Sequence, residues 1–574
     1  MKIYEKLREK PFFLKDSQIN WVKDTLAGMS EEEKIGQLFC LIAYSDNEDY
    51  LKGLAREYHA GGVMGRPMPA EAVCKFSSVL QENAKIPMLI AANFEAGGDG
   101  LVEEGTNVGP NMQVAATGNA DFAAAQGRIS AEEGLAVGAN WAFAPVIDID
   151  NNFRNPITAT RTYGADADMV ARCGAAYTKA AQERGMAVSI KHFPGDGVDE
   201  RDQHLVTSIN SLSCEEWDES YGKAYRAGIE AGALTVMVGH IMQPAYSRCL
   251  NPSIRDEDIM PATLSPELLN GLLRDKLNFN GMIVTDATTM AGMAIPMDRR
   301  RLVPHAIAAG CDMFLFTKNL DEDYRYMREG LENGILTPER LDEAVIRILA
   351  VKAALKLPEK KADGALIPDP DRALQVLNHP EHKQIEADCA DQSITLVKNI
   401  EGILPLDAGK QKRILLYPLL PVGPSFHAAN LDSVASMMKA ALEKEGFAVD
   451  VFQSNEAAGL EGMAASYEET AAQYDLMMYV GNLATKSNQT VVRIEWAFPM
   501  GADCPIYINR IPTIFVSFAN PYHLLDAPRI KTFINAYSFK PSTVQAVVDK
   551  LMGRSEFKGT SPVDPFCGRW DTHL

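Results

Sequence analysis

A loop near residue 200 holds the densest group of side chains capable of proton transfer. Residues 191–204 read KHFPGDGVDERDQH and follow an apolar run, 187–190, that predicts a short buried strand. The proline and the two glycines break regular structure and predict a loop. Asp202 and His204 stand two apart, so in an extended segment both side chains lie on one side. An aspartate that accepts a hydrogen bond from a histidine fixes its tautomer and raises its basicity, which suits general acid–base chemistry.

The same loop also has a plainer interpretation, in which it is a solvated, charged connection. His192 would then be an ordinary buried histidine, the common situation for a histidine that stands alone. Here, however, Lys191, two histidines and several carboxylates share one glycine-containing loop directly after a strand. That combination favours a functional site over a structural loop.

Composition narrows the class of protein. The 574 residues are too many for one hydrophobic core and predict more than one domain. A net charge of -20 argues against nucleic acid and anionic membranes as partners. The N-terminus lacks the apolar core of a signal peptide, and no apolar run is long enough to span a membrane. The nine cysteines are scattered without a CxxC pair, which is typical of reduced thiols in a cytoplasmic protein and not of a disulfide framework or zinc site.

The first 356 residues contain a regular alternation of apolar runs and helix-like segments. A helical stretch covers about residues 15–36, with Ser30 and Glu33 placed as a capping box. Eight apolar runs follow, at residues 38–43, 61–64, 87–92, 141–147, 187–190, 234–238, 281–285 and 312–316. Strands that alternate with helices pair in parallel, and runs that are apolar throughout indicate burial on both faces. Eight such units predict a TIM-like (β/α)8 barrel over residues 1–356.

In such a barrel the active site lies at the carboxyl ends of the strands. Each residue found there could, taken alone, be a cap or a loop residue, but ionisable groups are concentrated at this one end of the strands. The polar residues just beyond the predicted strands are Asn93, Glu95, Asp148, Lys191, His192, His240 and Asp286.

Residues 357–372, LPEKKADGALIPDPDR, predict a linker because they combine proline, glycine and charge without periodicity. A second α/β pattern occupies residues 373–574, with apolar runs at 393–399, 413–417, 447–451, 476–480 and 512–518. Helix-like segments separate several of them, which predicts a doubly wound αβα sandwich. No glycine-rich phosphate-binding motif occurs near these strands, so no nucleotide is assigned.

Asp286 ends the apolar stretch GMIVTD and could be a nucleophile, a base or a metal ligand. The metal role is the weaker one, because no second carboxylate or histidine lies nearby at ligand spacing. A retaining glycosidase needs one ionised carboxylate as nucleophile and one group that first donates and then accepts a proton. Asp286 suits the first role, and His204 held by Asp202 suits the second.

Several long motifs together resemble glycoside hydrolase family 3, in particular its two-domain β-N-acetylglucosaminidase branch. They are MSEEEKIGQLF, APVIDI followed by RTYG, KHFPGDG with DQH, VMVGHIMQPAY, PATLSPELLNGLLRDKLNFNGMIVTDATTM, SITLVKN with GILPL, and VSFANPYHLLDAP. The resemblance covers nearly the whole chain and implies a barrel followed by an αβα domain. It also implies Asp286 as nucleophile, Asp202 with His204 as acid/base, and Arg161, Lys191 and His192 as sugar-binding residues.

Two residues depart from that family's pattern. Asp196 stands between the loop glycines where the family commonly has histidine. Asn93 stands after the third strand where the family commonly has an aspartate that binds sugar hydroxyls. An asparagine still forms hydrogen bonds, but without the charge that strengthens them. The chemistry is therefore better supported than the identity of the sugar. Glu495 could be mistaken for the carboxylic acid that the β-glucosidase branch takes from its second domain.

The sequence thus predicts a cytoplasmic, retaining exo-glycosidase that removes terminal β-linked N-acetylglucosamine or a related sugar. Cell-wall or chitin fragments are the expected substrates, bound in part by Asn93, Glu95 and His240, and the reaction requires neither cofactor nor metal. A histidine acid/base leaves the site less anionic than a glutamate would, so phosphate could replace water. A phosphorylase and a β-glucosidase of the same family remain alternatives. A sugar-binding protein that has lost catalysis is the alternative from another class.

Overall fold

The computed structural model describes the chain from residue 2 to residue 574, except residues 378, 421–431, 453–463, 465, 486, 497 and 499–500. The chain divides into two compact units. The first comprises Met1–Asn107, Ala120–Asn155 and Asp166–Lys383, and the second comprises Val108–Asn119, Pro156–Ala165 and Gln384–Leu574. Two short segments from the N-terminal half therefore belong to the second unit.

The strands of the first unit form a parallel barrel. In chain order they are β1 Phe39–Ile42, β2 Gly62–Met64, β3 Leu89–Ala92, β4 Trp141–Ala142, β5 Ala187–Phe193, β6 Ser208–Ile209, β7 Thr235–Val238, β8 Ile241–Met242, β9 Met282–Thr285 and β10 Phe314–Leu315. Eight of them pair in the order β10-β1-β2-β3-β4-β5-β7-β9, and each pair is parallel. Between β9 and β10 the Thr285 amide donates to the Met313 carbonyl at 3.0 Å, which brings the two edges together. The predicted eight-stranded barrel is confirmed, and each apolar run coincides with one of these strands. β5 continues three residues beyond its predicted run, so Lys191 and His192 lie within the end of the strand and not just beyond it.

Burial explains why these strands are mainly apolar. All four residues of β1, β3 and β9 are buried, as are all seven of β5. A barrel strand faces packed side chains on its inner side and helices on its outer side, so neither face meets water. β6 and β8, which the sequence analysis did not predict, form a separate two-stranded parallel sheet.

Three helices precede β1, and the other helices up to residue 393 lie between the strands or after β10. In chain order these helices are α1 Lys2–Lys6, α2 Asp16–Ala27, α3 Glu31–Gln37, α4 Glu48–Arg56, α5 Ala70–Asn83, α6 Asn111–Ala116, α7 Asp121–Ala136, α8 Ala167–Glu183, α9 Cys214–Glu219, α10 Tyr221–Glu230, α11 Pro244–Leu250, α12 Ala291–Ala294, α13 Arg299–Ala309, α14 Leu320–Glu332, α15 Pro338–Ala354, α16 Leu357–Ala362, α17 Pro370–Leu377 and α18 Pro380–Ser393. Of these helices, α6 and the later part of α18 fall in the second unit. A π-helical segment, Glu267–Lys276, lies between β8 and β9.

The predicted capping box is present at the start of α3. The Ser30 hydroxyl accepts a hydrogen bond from the Glu33 amide at 3.2 Å, and the Glu33 carboxylate accepts one from the Ser30 amide at 2.9 Å. Two otherwise unpaired amides at the helix start are thereby satisfied. The helical stretch predicted for residues 15–36 is divided into α2 and α3, because α2 ends at Ala27 and Ser30 caps a new helix.

The second unit contains a six-stranded sheet in the order β11-β16-β15-β14-β12-β13. Its strands are β11 Thr395–Asn399, β12 Arg413–Leu419, β13 Ala448–Val451, β14 Leu476–Gly481, β15 Thr513–Ser517 and β16 Thr532–Asn535. The other helices described in this unit are α19 Asp432–Lys444, α20 Tyr467–Gln473 and α21 Pro541–Leu551. All pairs are parallel except β11 with β16, and β16 is the strand that the sequence analysis missed.

Successive side chains along these strands point to opposite faces of the sheet and pack into two hydrophobic cores. Leu416 and Met478 belong to the core that contains residues of α19 and α21, whereas their neighbours Tyr417 and Tyr479 belong to the opposite core. The sheet is therefore covered on both faces, in agreement with the predicted sandwich.

The stretch predicted as a linker, 357–372, contains α16 and the start of α17. No helix among the described residues combines the length and the apolar character that crossing a membrane requires. All nine cysteines lie in the described part of the chain, and each is a free thiol.

Candidate active site

Asp286 directly follows β9 and is almost completely buried. Its backbone amide donates to the Val238 carbonyl at 2.8 Å, and its Oδ1 accepts from the Ala287 amide at 2.7 Å. Its other oxygen, Oδ2, is buried and has no hydrogen-bond partner among the described residues. One carboxylate oxygen is thus fixed by the backbone while the other is available to react.

The surroundings keep this carboxylate ionised. Burial alone would raise the pKa of Asp286, but the nearby His192, His240 and His204 rings and the Ala287 amide favour the anion. Together they hold the pKa of Asp286 below its usual value. The group is therefore an anion at neutral pH, as a nucleophile or a base must be.

His192 lies beside Asp286 and is oriented by Asp148. The His192 Nδ1–H donates to Asp148 Oδ2 at 2.7 Å, and the His192 amide donates to Asp148 Oδ1 at 3.0 Å. This arrangement directs Nε2 toward Asp286, whose Oδ2 is 3.9 Å away. Asp148 was recognised in the sequence as a strand-end residue, and the structure shows that it holds the histidine.

Lys191 occupies the neighbouring position and forms a buried ion pair with Glu95. The Lys191 Nζ is 2.7 Å from Glu95 Oε1, and it also donates to Asn93 Oδ1 at 3.5 Å. The lysine side chain is buried, whereas Asn93 is exposed and Glu95 is partly exposed. Three residues that the sequence analysis assigned to sugar binding thus lie together.

The Asp202–His204 pair forms, although not in the way that its spacing suggested. The His204 Nδ1–H donates to Asp202 Oδ1 at 2.7 Å, and the His204 amide donates to the same oxygen at 2.7 Å. The segment is a turn and not extended, because the Leu205 and Val206 amides both donate to the Asp202 carbonyl. The expectation of an extended segment was wrong, and a local aspartate turn produces the pairing instead.

This pair is arranged as in a general acid–base group, with one ring nitrogen held by a carboxylate. Asp202 is buried and holds Nδ1, while the His204 side chain remains 20% exposed. A histidine held at Nδ1 exchanges protons through Nε2.

His240 is buried and uses both ring nitrogens within the protein. Its Nε2–H donates to the Ala287 carbonyl at 3.0 Å, and its Nδ1 lies 3.1 Å from the Thr263 hydroxyl. Burial is the main reason that the pKa of His240 is lowered, so its ring is neutral at pH 7. The contacts place His240 behind the backbone that carries Asp286.

Arg161 belongs to the second of the two units into which the chain divides. It ends the short 3₁₀ helix Ala159–Arg161 in a segment of the second unit, and its carbonyl accepts from the Asn111 side chain at 2.8 Å. The other sequence-predicted site residues belong to the first unit.

Two further polar residues, one in the loop and one in contact with it, were not assigned a role from the sequence. Gln203, between Asp202 and His204, is buried and accepts from the His240 amide at 2.7 Å. Asn155 donates to the buried carboxylate of Asp196 at 2.9 Å. Neither has a sequence signal beyond its position near the loop, since amides of this kind are common in any connection.

Among the described residues, no group of three or more His, Cys, Asp or Glu side chains is arranged to hold a metal ion. The site combines the ionised carboxylate of Asp286, the His204 ring, whose Nδ1 is held by Asp202, and several hydrogen-bonding groups at the carboxyl end of a barrel. Nucleophilic attack at an acetal carbon with proton transfer to the leaving oxygen requires this set of groups. The fold and site are those of an enzyme that cleaves glycosidic bonds.

The comparisons with known proteins agree with that class. Residues 30–351, more than half of the chain, match the model of the glycosyl hydrolase family 3 N-terminal domain. The chain belongs to glycosyl hydrolase family 3.

Three relatives illustrate the range of proteins that are similar to it. A β-N-acetylglucosaminidase/β-glucosidase of Cellulomonas fimi is 52% identical over 569 residues, covering 99% of this chain and 100% of the relative. The structure of a β-glucoside phosphorylase, BglX, is 45% identical with a TM-score of 0.91, covering 99% of each chain. A family 3 β-N-acetylglucosaminidase from Paenibacillus sp. str. FPU-7 is 26% identical with a TM-score of 0.76, covering 94% of this chain and 100% of that one.

Proposed function

We propose that this enzyme removes terminal β-linked N-acetylglucosamine, or a related β-hexosaminide, with retention of configuration. The observation that carries the proposal is the buried, ionised Asp286, whose Oδ2 faces His192 and accepts no hydrogen bond from the part of the chain that the structure describes. The relatives named as β-N-acetylglucosaminidases support this choice of sugar.

In the first step, Asp286 Oδ2 attacks the anomeric carbon while the glycosidic bond breaks, and His204 Nε2–H gives its proton to the departing oxygen. The neutral His204 then takes a proton from the incoming acceptor, whose oxygen displaces Asp286 and restores the free carboxylate. Asp202 stabilises the imidazolium through its bond to Nδ1 and keeps the ring oriented.

The non-reacting part of the sugar is held by groups around Lys191. Sugar hydroxyls find both charged and neutral hydrogen-bonding groups there, supplied by Lys191, His192, Asn93 and Glu95. Neutral Asn93 can both donate to and accept from a hydroxyl. Arg161 is proposed as a sugar-binding residue on the basis of its sequence motif alone. His240 contributes indirectly, because its ring holds the backbone next to Asp286.

The nucleophile is tested with Asp286→Ala and the isosteric Asp286→Asn. Both variants should lower kcat/KM for an aryl N-acetyl-β-glucosaminide by about 10⁴-fold or more, because no covalent intermediate can form. An activated 2-deoxy-2-fluoro glycoside should label the Asp286 peptide of the parent protein, as detected by mass spectrometry. Unchanged thermal unfolding is the control for folding. A loss of less than about tenfold in a folded variant would remove Asp286 from the mechanism.

A phosphorylase is the second candidate, because a β-glucoside phosphorylase shares 45% identity over almost the entire chain. A histidine acid/base also leaves less negative charge in the path of a phosphate dianion than a glutamate would. The parent enzyme should be incubated with the aryl glycoside with and without inorganic phosphate. Free sugar as the only product supports hydrolysis, whereas a sugar 1-phosphate that increases with phosphate concentration supports phosphorolysis.

The sugar is tested by comparing aryl N-acetyl-β-glucosaminide with aryl β-glucoside, since the Cellulomonas fimi relative is named for both activities. A higher kcat/KM for the N-acetyl sugar is expected, and a higher value for the glucoside would assign the enzyme to the alternative. Binding of both sugars without turnover would indicate a sugar-binding protein.

We place the enzyme in the cytoplasm, because nine free cysteines suit a reducing compartment. Cell-wall or chitin fragments are the substrates that we propose for it there.

A further inference from the structure

Asp196 is a carboxylate that the proposed mechanism does not use. It is only 2% exposed, and both of its oxygens are occupied. Oδ1 accepts from the Asn155 side chain at 2.9 Å and from the Gly197 amide at 2.7 Å, and Oδ2 accepts from the Gln203 side chain at 3.2 Å. Because both oxygens already accept hydrogen bonds from protein groups, this carboxylate acts through the groups that it holds.

The backbone of Asp196 is attached firmly to the barrel. Its amide donates to Asp148 Oδ1 at 2.8 Å, the same oxygen that accepts from the His192 amide. Its carbonyl accepts from the Tyr221 hydroxyl at 2.6 Å. The backbone of Asp196 is therefore held in place, and it is a fixed point because it bonds to Asp148, the residue that orients His192.

Gln203 connects this fixed point to the turn that carries His204. Its Nε2 donates to Asp196, and its Oε1 accepts from the His240 amide at 2.7 Å. Gln203 is 1% exposed and stands between Asp202 and His204 in the chain. A buried amide with both ends bonded restrains the backbone on either side of it.

We infer that Asp196 and Gln203 form a positioning pair that holds the Asp202–His204 turn against the carboxyl ends of the barrel strands. The inference rests on the proposed role of His204 as acid/base. Proton transfer depends on hydrogen-bond geometry, so a small displacement of this turn would weaken catalysis without removing any group that touches the sugar.

Three variants test the pair. In Asp196→Asn, Oδ1 keeps its two donors, but an NH2 group then opposes the NH2 group of Gln203. In Gln203→Glu, the acceptor for the His240 amide remains, but two carboxylates then oppose each other. In the double variant Asp196→Asn/Gln203→Glu, the new amide donates to the new carboxylate, so the hydrogen bond returns with its direction reversed and the number of charges is unchanged.

The measurement is kcat/KM for a series of glycosides whose leaving groups range from activated phenols to alkyl alcohols. Only the poor leaving groups need a proton. Each single variant should therefore lose up to about 100-fold on the alkyl glycosides and far less on the activated ones. The double variant should recover most of that loss. Glu200→Gln is the matched control, because Glu200 is an exposed carboxylate of the same loop, and it should behave like the parent.

The outcomes separate this inference from the proposed function. His204→Ala, measured in the same series, should show an even larger selective loss on poor leaving groups. If it does so while the single variants slow all substrates equally, or the double variant recovers nothing, the positioning pair is wrong and the role of His204 stands. If His204→Ala shows no leaving-group dependence, the acid/base assignment itself fails. Should Asp196→Asn not fold, as judged by circular dichroism, Gln203→Glu and Gln203→Met decide the question through the same selectivity.

Discussion

At the scale of single residues, Asp196 should make the free energy of unfolding depend on pH. Burial, and after it the charge of Asp148, raise the pKa of Asp196 to about 6, and His192 only partly opposes this. The unfolded chain ionises the same group near pH 4. The folded state therefore binds the proton more tightly, and this stabilisation is complete below about pH 4 and lost as the pH rises through about 6.

We predict that the unfolding free energy of the parent, relative to Asp196→Asn, decreases by roughly 2–3 kcal/mol between pH 4 and pH 6. Urea unfolding at several pH values measures this difference. Glu200→Gln, the same type of change at an exposed carboxylate, should show no such trend. A difference that stays constant or increases over this range would contradict the assignment.

At the scale of elements, Asp312 lies just before β10, where that strand meets β9, and it is completely buried. Its Oδ2 accepts from the Ile283 amide of β9 at 2.9 Å and from Arg274 of the π-helical segment at 2.7 Å. Its Oδ1 accepts from Arg340 of α15 at 2.7 Å, and Arg347 of the same helix is 3.7 Å away. Burial would raise the pKa of Asp312, but the three arginines outweigh it and lower that pKa. One carboxylate thus joins two strands and two helical segments.

We predict that Asp312→Asn lowers the unfolding free energy by about 3–5 kcal/mol, because three arginines lose their buried counter-ion. The control is Asp342→Asn on α15, where a partly exposed carboxylate is 2.6 Å from Lys34. That surface pair should contribute no more than about 1 kcal/mol. Denaturant unfolding compares the two variants, and similar losses would show that Asp312 has no special part in closing the barrel.

At the scale of the whole molecule, the two units are interleaved along the chain. The segments Val108–Asn119 and Pro156–Ala165 both form hydrogen bonds with residues of the range 384–574. The Thr560 amide donates to the Ala116 carbonyl at 2.9 Å, and the Ala165 amide donates to the Pro562 carbonyl at 3.1 Å. A fragment that ends at residue 383 would keep both segments but lose those partners.

We therefore predict that residues 1–383 expressed alone are poorly soluble and inactive, although they contain every residue assigned here to catalysis. Co-expression with residues 384–574 should restore soluble, active protein, because the missing partners are supplied. Solubility, size-exclusion chromatography and turnover of the aryl glycoside measure the outcome. Full activity from the N-terminal fragment by itself would show that the interleaved segments do not need the second unit.

The sequence alone was enough to predict the eight strands of the barrel and the polar residues at their carboxyl ends. Strands covered on both faces are mainly apolar, so β1, β3, β7, β9 and the first four residues of β5 appear in the sequence as apolar runs. Parallel order then places Asp286, Lys191 and His192 at one end. The capping box at Ser30 was also predictable, because a cap is formed by residues three apart.

Only the tertiary structure decided how these residues are held. His240 turns both ring nitrogens to Thr263 and Ala287, and Gln203 reaches Asp196 and the His240 amide, through partners chosen by loop geometry and not by spacing. β16 was missed because a four-residue strand without flanking periodicity has no distinct signal. Spacing determines which side chains share a face of one element, whereas contacts between loops depend on how the elements pack, which no local pattern contains.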